Sequence, residues 1–246
     1  MRIIDHESRK NEVLAAALDA YIKSATPVSS EMLVRDFGIN LSPATVRNCL
    51  AELEDMGYLT HPHTSAGRVP TQAGYRYYVN NLMREIKLIE KEKNRIETDY
   101  HRNIGELEAI LEETSGLISE ITHYAGIVSF SDWQHRMFYK GTSFILEQPE
   151  FRDLVKIRHL LAILEEKELL LEIINRDLKE KIAIYIGTEI PCSDIANCSL
   201  IVSSYKIKDR PSGRLAVLGP TRMQYGKVVS TLEYLSEQLS RILKDR

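Results

Sequence analysis

The sequence predicts an α+β chain: an N-terminal winged helix-turn-helix, a long central helix, and a C-terminal domain of sheet and helices. Three observations carry this reading. Three helical stripes bounded by cap or breaker residues fall between Glu7 and Gly57. A flap rich in Gly, Pro, His, Thr and Ser follows the third stripe directly. Beyond residue 123 the pattern alternates between short apolar runs and amphipathic helices, which predicts a mostly antiparallel sheet with helices packed on it.

Residues 7–24 place Val13, Leu14, Ala17, Leu18, Tyr21 and Ile22 on one helical stripe. Pro27 breaks it, and Ser29 or Ser30 is placed to cap a short second helix that ends at Gly38, a residue suited to a left-handed position. Ser42 caps a third helix with Pro43 in its first turn, where a missing N–H costs nothing. Val46, Leu50 and Leu53 form its apolar face, with Cys49 and Met56 at the edges, and Gly57 ends it. The result is a helix-turn-helix pattern.

The flap "YLTHPHTSAGRVPT" then reads as strand, turn and strand. A hairpin directly after a recognition helix is a wing, with a small, polar tip that lies close to a phosphate backbone. Arg68 is expected near that tip, reaching a phosphate or the minor groove.

From about Thr71 to residue 122 the pattern is helical and charged. Steps of four and three place Ile86, Ile89, Ile96, Asn103 and Leu107 in one register, which suggests a coiled-coil seam and a dimer contact, with Asn103 setting register. Gly105 and residues 114–116 weaken the seam, and the alternative is a stripe packed on the chain's own C-terminal domain. The expected division is 1–80, 81–122 and 123–246. In the last part, "YAGIVSF", "WQHRMFYKG", "KIAIYIG", "CSLIVSSYKI" and "RLAVLG" read as strands. Residues 149–176 and 221–244 read as long helices.

Of the 246 residues, 43% are hydrophobic, so a packed core is expected rather than disorder. The formal net charge of -3 excludes bulk attraction to a polyanion; any nucleic-acid site must come from local placement of charge. Three cysteines, Cys49, Cys192 and Cys198, argue against a disulfide framework and fit a reducing compartment. The charged N-terminus has no signal-peptide core and no run is long enough to span a membrane, so a cytoplasmic protein without membrane partners is expected.

Ser42, Thr45, Arg47 and Asn48 crowd the start of the third helix, the end that meets base edges in such motifs. Arg reads guanine and Asn reads adenine through paired hydrogen bonds. Ser29 and Ser30 open the second helix, where free N–H groups hold either a plain cap or a phosphate. His61 and His63 have too few ligand partners for a metal and read as exposed imidazoles on the wing. His63 and Thr64 are counted with the DNA-facing residues. Arg76, in "AGYRYY", is expected to contact phosphate, with Tyr75 able to join it and Tyr77 and Tyr78 in the core. No nucleophile stands beside a base, and there is neither a P-loop nor G-x-G-x-x-G, so no enzyme, cofactor or metal is predicted.

The stretches "PVSSEMLV", "LSPATVRNCLAELEDMGYLTHPHTSAGRVPTQAGYRYYV", "PEFRDLVKIRHLLAILEEKELLLEII" and "LGPTRMQYGKVVSTLEYL" together resemble the bacterial heat-inducible transcription repressor HrcA family. The resemblance implies a winged-helix DNA-binding domain followed by a GAF-like domain. It further implies a homodimer on an inverted-repeat operator of double-stranded DNA upstream of chaperone operons, and a GroEL-type chaperonin as partner. Members of that family are longer, with further GAF-like strands and an inserted domain that helps dimerise; here "HYAGIVSF" passes almost directly into "SDWQHRMFYKG", so dimerisation is expected through the 82–121 helix and the GAF-like faces. Position 49 is Cys where the family tends to have an acidic residue; loss of that charge favours phosphate approach, and the thiol becomes open to oxidation. The function expected is a dimeric, sequence-specific repressor. The alternative is a winged-helix regulator whose second domain senses a small molecule.

Overall fold

The computed structural model describes residues 2–62, 67–84, 86–102, 107–130, 136–176, 181–207 and 210–244. The chain divides into two compact units, Met1–Arg84 and Glu85–Arg246.

The first unit packs α1 (Arg2–Ser24), α2 (Ser30–Phe37) and α3 (Pro43–Asp55) around Val13, Leu14, Ala17, Leu18, Leu33, Val46, Leu50 and Leu53, all buried. Helix α1 begins upstream of the expected residue 7. Gly38 takes the left-handed conformation (φ 64°) that ends α2. Strands β1 (Leu59–Thr60) and β2 (Val69–Pro70) pair antiparallel, Leu59 opposite Pro70 and Thr60 opposite Val69. Helix α4 (Gln72–Tyr77) runs on through one π-helical turn, Tyr78–Leu82. The Tyr77 hydroxyl donates to Asn11 Oδ1 (3.0 Å) and that of Tyr78 to Asp19 Oδ1 (2.8 Å), which ties this segment to α1. Tyr75, expected as able to touch a DNA backbone, is buried instead.

The second unit runs α5 (Glu90–Arg102), α6 (Leu107–Thr122), β3 (Ala125–Phe130), β4 (Met137–Lys140), α7 (Thr142–Leu146), α8 (Leu154–Glu165), α9 (Lys167–Asn175), β5 (Ile182–Ile186), β6 (Cys198–Ile207), β7 (Arg210–Pro220) and α10 (Tyr225–Lys244). The strands form one antiparallel sheet in the order β4-β3-β7-β6-β5. On one face Ala125, Ile127, Leu200, Val202, Ala216 and Leu218 join a core with Leu160, Ile163 and Leu164 of α8 and Leu170, Ile173 and Ile174 of α9. On the other lie α6 and α10. Gly126 sits so close to α6 that a Cβ there would stand 2.7 Å from Ile118 Cβ, and Ser199 Oγ meets the Tyr225 hydroxyl of α10 at 2.8 Å. Cover on both faces explains the unbroken apolar reading of β3, β6 and β7.

The long helix expected over 71–122 does not form as one element. Met83 is extended (ψ 127°), and helix resumes only at Glu90. Helices α5 and α6 then lie antiparallel: Tyr100 meets Thr114 hydroxyl to hydroxyl (2.9 Å), and Arg95 pairs with Glu120. Ile96, placed in the dimer seam, is 0% exposed within the chain, whereas Ile86 and Ile89 are 49% and 60% exposed. Leu107 is half-buried at the start of α6, and Asn103 lies outside the described residues. The heptad-like spacing is satisfied by the chain folding back on itself, because a stripe of this period records only that a helix has a partner. Residues 86–102 and 107–122 therefore belong with the second unit rather than to a separate linker.

The helix expected over 149–176 is also divided, at Glu166 (ψ 69°). In a continuous helix the stripe through Leu160 and Leu164 would bring Lys167 or Glu168 to the core. The break restores Leu170, Ile173 and Ile174 to it. Cys49 and Cys198 are buried, and burial is the main cause raising both thiols, that of Cys198 to about 12. Burial and a raised thiol both make oxidation less favourable than at an exposed cysteine. Among the described residues no helix is long and apolar enough to cross a membrane.

Ile96→Ala is expected to lower the unfolding free energy of the second unit by about 2–5 kcal/mol. Ile89→Ala is expected to change it by less than about 0.5 kcal/mol. Urea unfolding of the two variants checks the difference. Equal, small effects would mean that Ile96 faces solvent or another chain.

Candidate nucleic-acid interface

The start of α3 is built from its cap outward. Ser42 Oγ accepts the Thr45 N–H (3.1 Å) and lies 2.9 Å from the Thr45 hydroxyl. With Val46, Cys49, Leu50 and Leu53 turned into the core, the helix period leaves Arg47 and Asn48 exposed away from that face and Thr45 half-buried beside it, while Ser42 is exposed as the N-cap. Two long donors and two hydroxyls are thus presented by the first two turns of one rigid helix.

Arg47 is not isolated. Its Nη2 donates to Glu31 Oε1 across a 2.7 Å ion pair, with both side chains more than half exposed. Glu31 stands in the first turn of α2, where backbone N–H groups lower its carboxyl below the usual range, followed by Ser30 and Arg47. The Ser30 hydroxyl donates to Glu31 Oε2 (3.1 Å) and is buried, so Ser30 is corrected from a DNA contact to a support of Glu31. Ser29 is the N-cap, its Oγ accepting the Met32 N–H (3.2 Å). The start of α2 thus carries the plain cap, at Ser29, with the Glu31 carboxylate beside it. Sequence reasoning missed Glu31; an acid in a first helical turn is ordinary, and nothing linear links it to Arg47.

The flap is anchored at its base. Val28 and Arg68 exchange backbone hydrogen bonds of 2.8 and 2.9 Å. Gly67 lies against this contact so tightly that a Cβ would stand 2.6 Å from the Val28 carbonyl oxygen. Arg68 is corrected in the same way: its side chain folds back on α3, Nε donating to Glu54 Oε2 at 3.3 Å, with only 16% of the side chain exposed. Glu54 also holds His61 through Nδ1. His61 is therefore a half-buried partner of a carboxylate rather than a free imidazole. His63 and Thr64 lie outside the described residues.

The exit of the flap is fixed by Thr71. Its hydroxyl donates to the Gly57 carbonyl (2.6 Å) and accepts the Gly74 N–H (3.1 Å), and its own N–H donates to Tyr58 O (3.0 Å). Arg76, one turn into α4, is half-buried, with Nη1 3.5 Å from Asn80 Oδ1. Residues 1–84 carry as many acidic as basic side chains, so charge here is a matter of placement. Among the described residues no group of three or more His, Cys, Asp or Glu could hold a metal ion.

A family model described as the HrcA protein C terminal domain matches residues 129–229. The heat-inducible transcription repressor HrcA of Symbiobacterium thermophilum is 30% identical, over 96% of this chain and 98% of that protein. That of Desulforudis audaxviator is 31% identical, over 97% of this chain and 98% of that protein. The first alignment has 335 positions against the 246 residues here, so that relative holds residues without a counterpart in this chain. A solved structure, reported as a hypothetical protein at 2.2 Å, shares the fold with a TM-score of 0.75 at 18% identity, over 96% of this chain and 98% of that one.

Gly67→Ala is expected to push the flap off Val28, at a cost of about 1–3 kcal/mol to the first unit. Hydrogen exchange reads this directly, with the amides of Val28 and Arg68 losing protection. Unchanged protection would show that the close approach at Gly67 is not needed.

Proposed function

The chain belongs to the HrcA family, and on that footing we propose that it is a transcription repressor that reads double-stranded DNA through the start of α3. The first unit is read as a winged helix-turn-helix and the second as a GAF-like domain. The observation that carries the proposal is the exposure of Arg47 and Asn48 away from the buried face of α3, with Ser42 exposed at its cap, next to an anchored antiparallel flap.

In this reading α3 enters a major groove by its N-terminal turns. Arg47 and Asn48 reach base edges, and Thr45 contributes at closer range. Ser29, Ser42 and Arg76 approach phosphates on either side, and the flap lies along the adjacent backbone. Glu31 orients Arg47 for the groove. Its charge repels phosphate, so the pair favours base contact over contact with the backbone. Two copies on an inverted repeat match the two-fold symmetry of such a site, and a single copy holds half of it. Chaperone operons are the targets proposed, in line with the heat-inducible repressors to which the chain is similar.

The test uses a duplex selected by the protein from a random pool, beside its scrambled version, at two salt concentrations. Wild type is expected to prefer the selected duplex by about a thousandfold or more. Arg47→Ala with Asn48→Ala is expected to remove most of that preference with little change in melting temperature, since both side chains are exposed. Arg76→Ala is expected to weaken both duplexes alike and to shorten the salt slope by about one. Equal binding of both duplexes by wild type would overturn the reading.

A further inference from the structure

A cleft of about 280 Å³ opens within the second unit, between the segment that leads into α5 and one face of α10. Lys87, Leu88 and Lys93 line it from the α5 side. Ser230, Glu233, Tyr234 and Glu237 line it from α10, spaced by three and four residues and so on one face of that helix. This volume lies at the small end for a ligand site.

Two donors in the cleft are unspent. The Ser230 side chain is buried, and its Oγ has no hydrogen-bond partner in the chain. Burying a hydroxyl without a partner is costly, so such a group on a cleft wall is placed for a ligand. Lys87 is exposed, and among the described residues its ammonium makes no ion pair. Lys93, by contrast, is held by Glu90 at 2.8 Å. Negative charge is in surplus one turn further along α10. Glu233 and Glu237 share one ammonium, that of Lys181, which stands 3.3 Å from Glu237 and 3.8 Å from Glu233. Leu88, buried, adds an aliphatic wall, and the Tyr234 hydroxyl is directed to Glu97 (3.4 Å), which leaves its ring as the lining.

Spare donors, a carboxylate short of its counter-ion and an aliphatic wall together suit a small molecule that carries both charges and an apolar group. Ser230 and Glu233 stand one helical turn apart, a separation that the two charged groups on a single carbon can bridge. We propose that this cleft binds a free α-amino acid with an aliphatic side chain. The ligand carboxylate accepts from Lys87 and from the Ser230 hydroxyl, the ligand ammonium donates to Glu233, and the side chain packs on Leu88 and the Tyr234 ring. Lys87 and Leu88 follow directly on the end of the first unit, so an occupied cleft fastens that stretch to α10. The proposal does not rest on the operator reading and is measured without DNA, so the two fail separately.

The test is isothermal titration of the full chain with each of the twenty common L-amino acids, with circular dichroism as a check on folding. Leucine, isoleucine, valine or methionine is expected to bind with a dissociation constant below about 1 mM. With leucine as the probe, leucinamide, which lacks the carboxylate, and 4-methylpentanoate, which lacks the ammonium, are each expected to bind about tenfold or more weakly than leucine. Ser230→Ala, Lys87→Ala and Glu233→Gln are each expected to weaken leucine binding by about the same factor. Lys87→Ala removes an exposed side chain and keeps the test open should the Ser230 variant misfold. No binding by any of the twenty, equal binding of leucine and its two analogues, or folded Lys87 and Glu233 variants that bind like wild type would each overturn the proposal.

Discussion

The paired backbone bonds between Val28 and Arg68 fix the base of the flap to the α1–α2 connection, and the presentation of α3 depends on that tie. A two-residue ladder such as β1–β2 is too short to hold its own register. It is held instead from outside: at one end by the Val28 bridge, at the other by the contacts of Thr71 with Gly57, Tyr58 and Gly74. Glycine at 67 is what lets the two backbones meet, since any Cβ would strike the Val28 carbonyl.

Charge in the first unit is distributed by the same economy. Glu54 gathers Arg68 and His61 to the base of the flap, and Glu31 gathers Arg47 to the start of α3. The first arrangement withdraws an arginine from the surface. The second leaves one exposed but oriented. With acidic and basic residues balanced in this unit, such pairings decide which cations remain to meet a polyanion.

The second unit solves a different problem. Its sheet is apolar on both faces and needs two layers of helix. Helices α6 and α10 supply one, and α8 and α9 the other. Division of the chain at Glu166 keeps both α8 and α9 on the sheet, and it leaves the outer side of α8 with aliphatic residues that the unit itself does not use.

The sequence by itself determined the local elements: the cap at Ser42, the left-handed turn at Gly38, the buried face of Val46, Leu50 and Leu53, and the apolar strands. These depend on period and on neighbours within a turn or two, which a linear reading contains. Only the tertiary structure decided what each stripe packs against and where each charge is held. Ile96 has the same spacing whether its partner is another chain or its own, and Arg68 has the same place in the flap whether it points outward or back to Glu54. The partners Arg47–Glu31 and Val28–Arg68 are far apart in sequence, and their meeting follows from the packing angle of helices and from the absence of a Cβ at Gly67. Such distances are set by the sum of many contacts, and no local pattern records them.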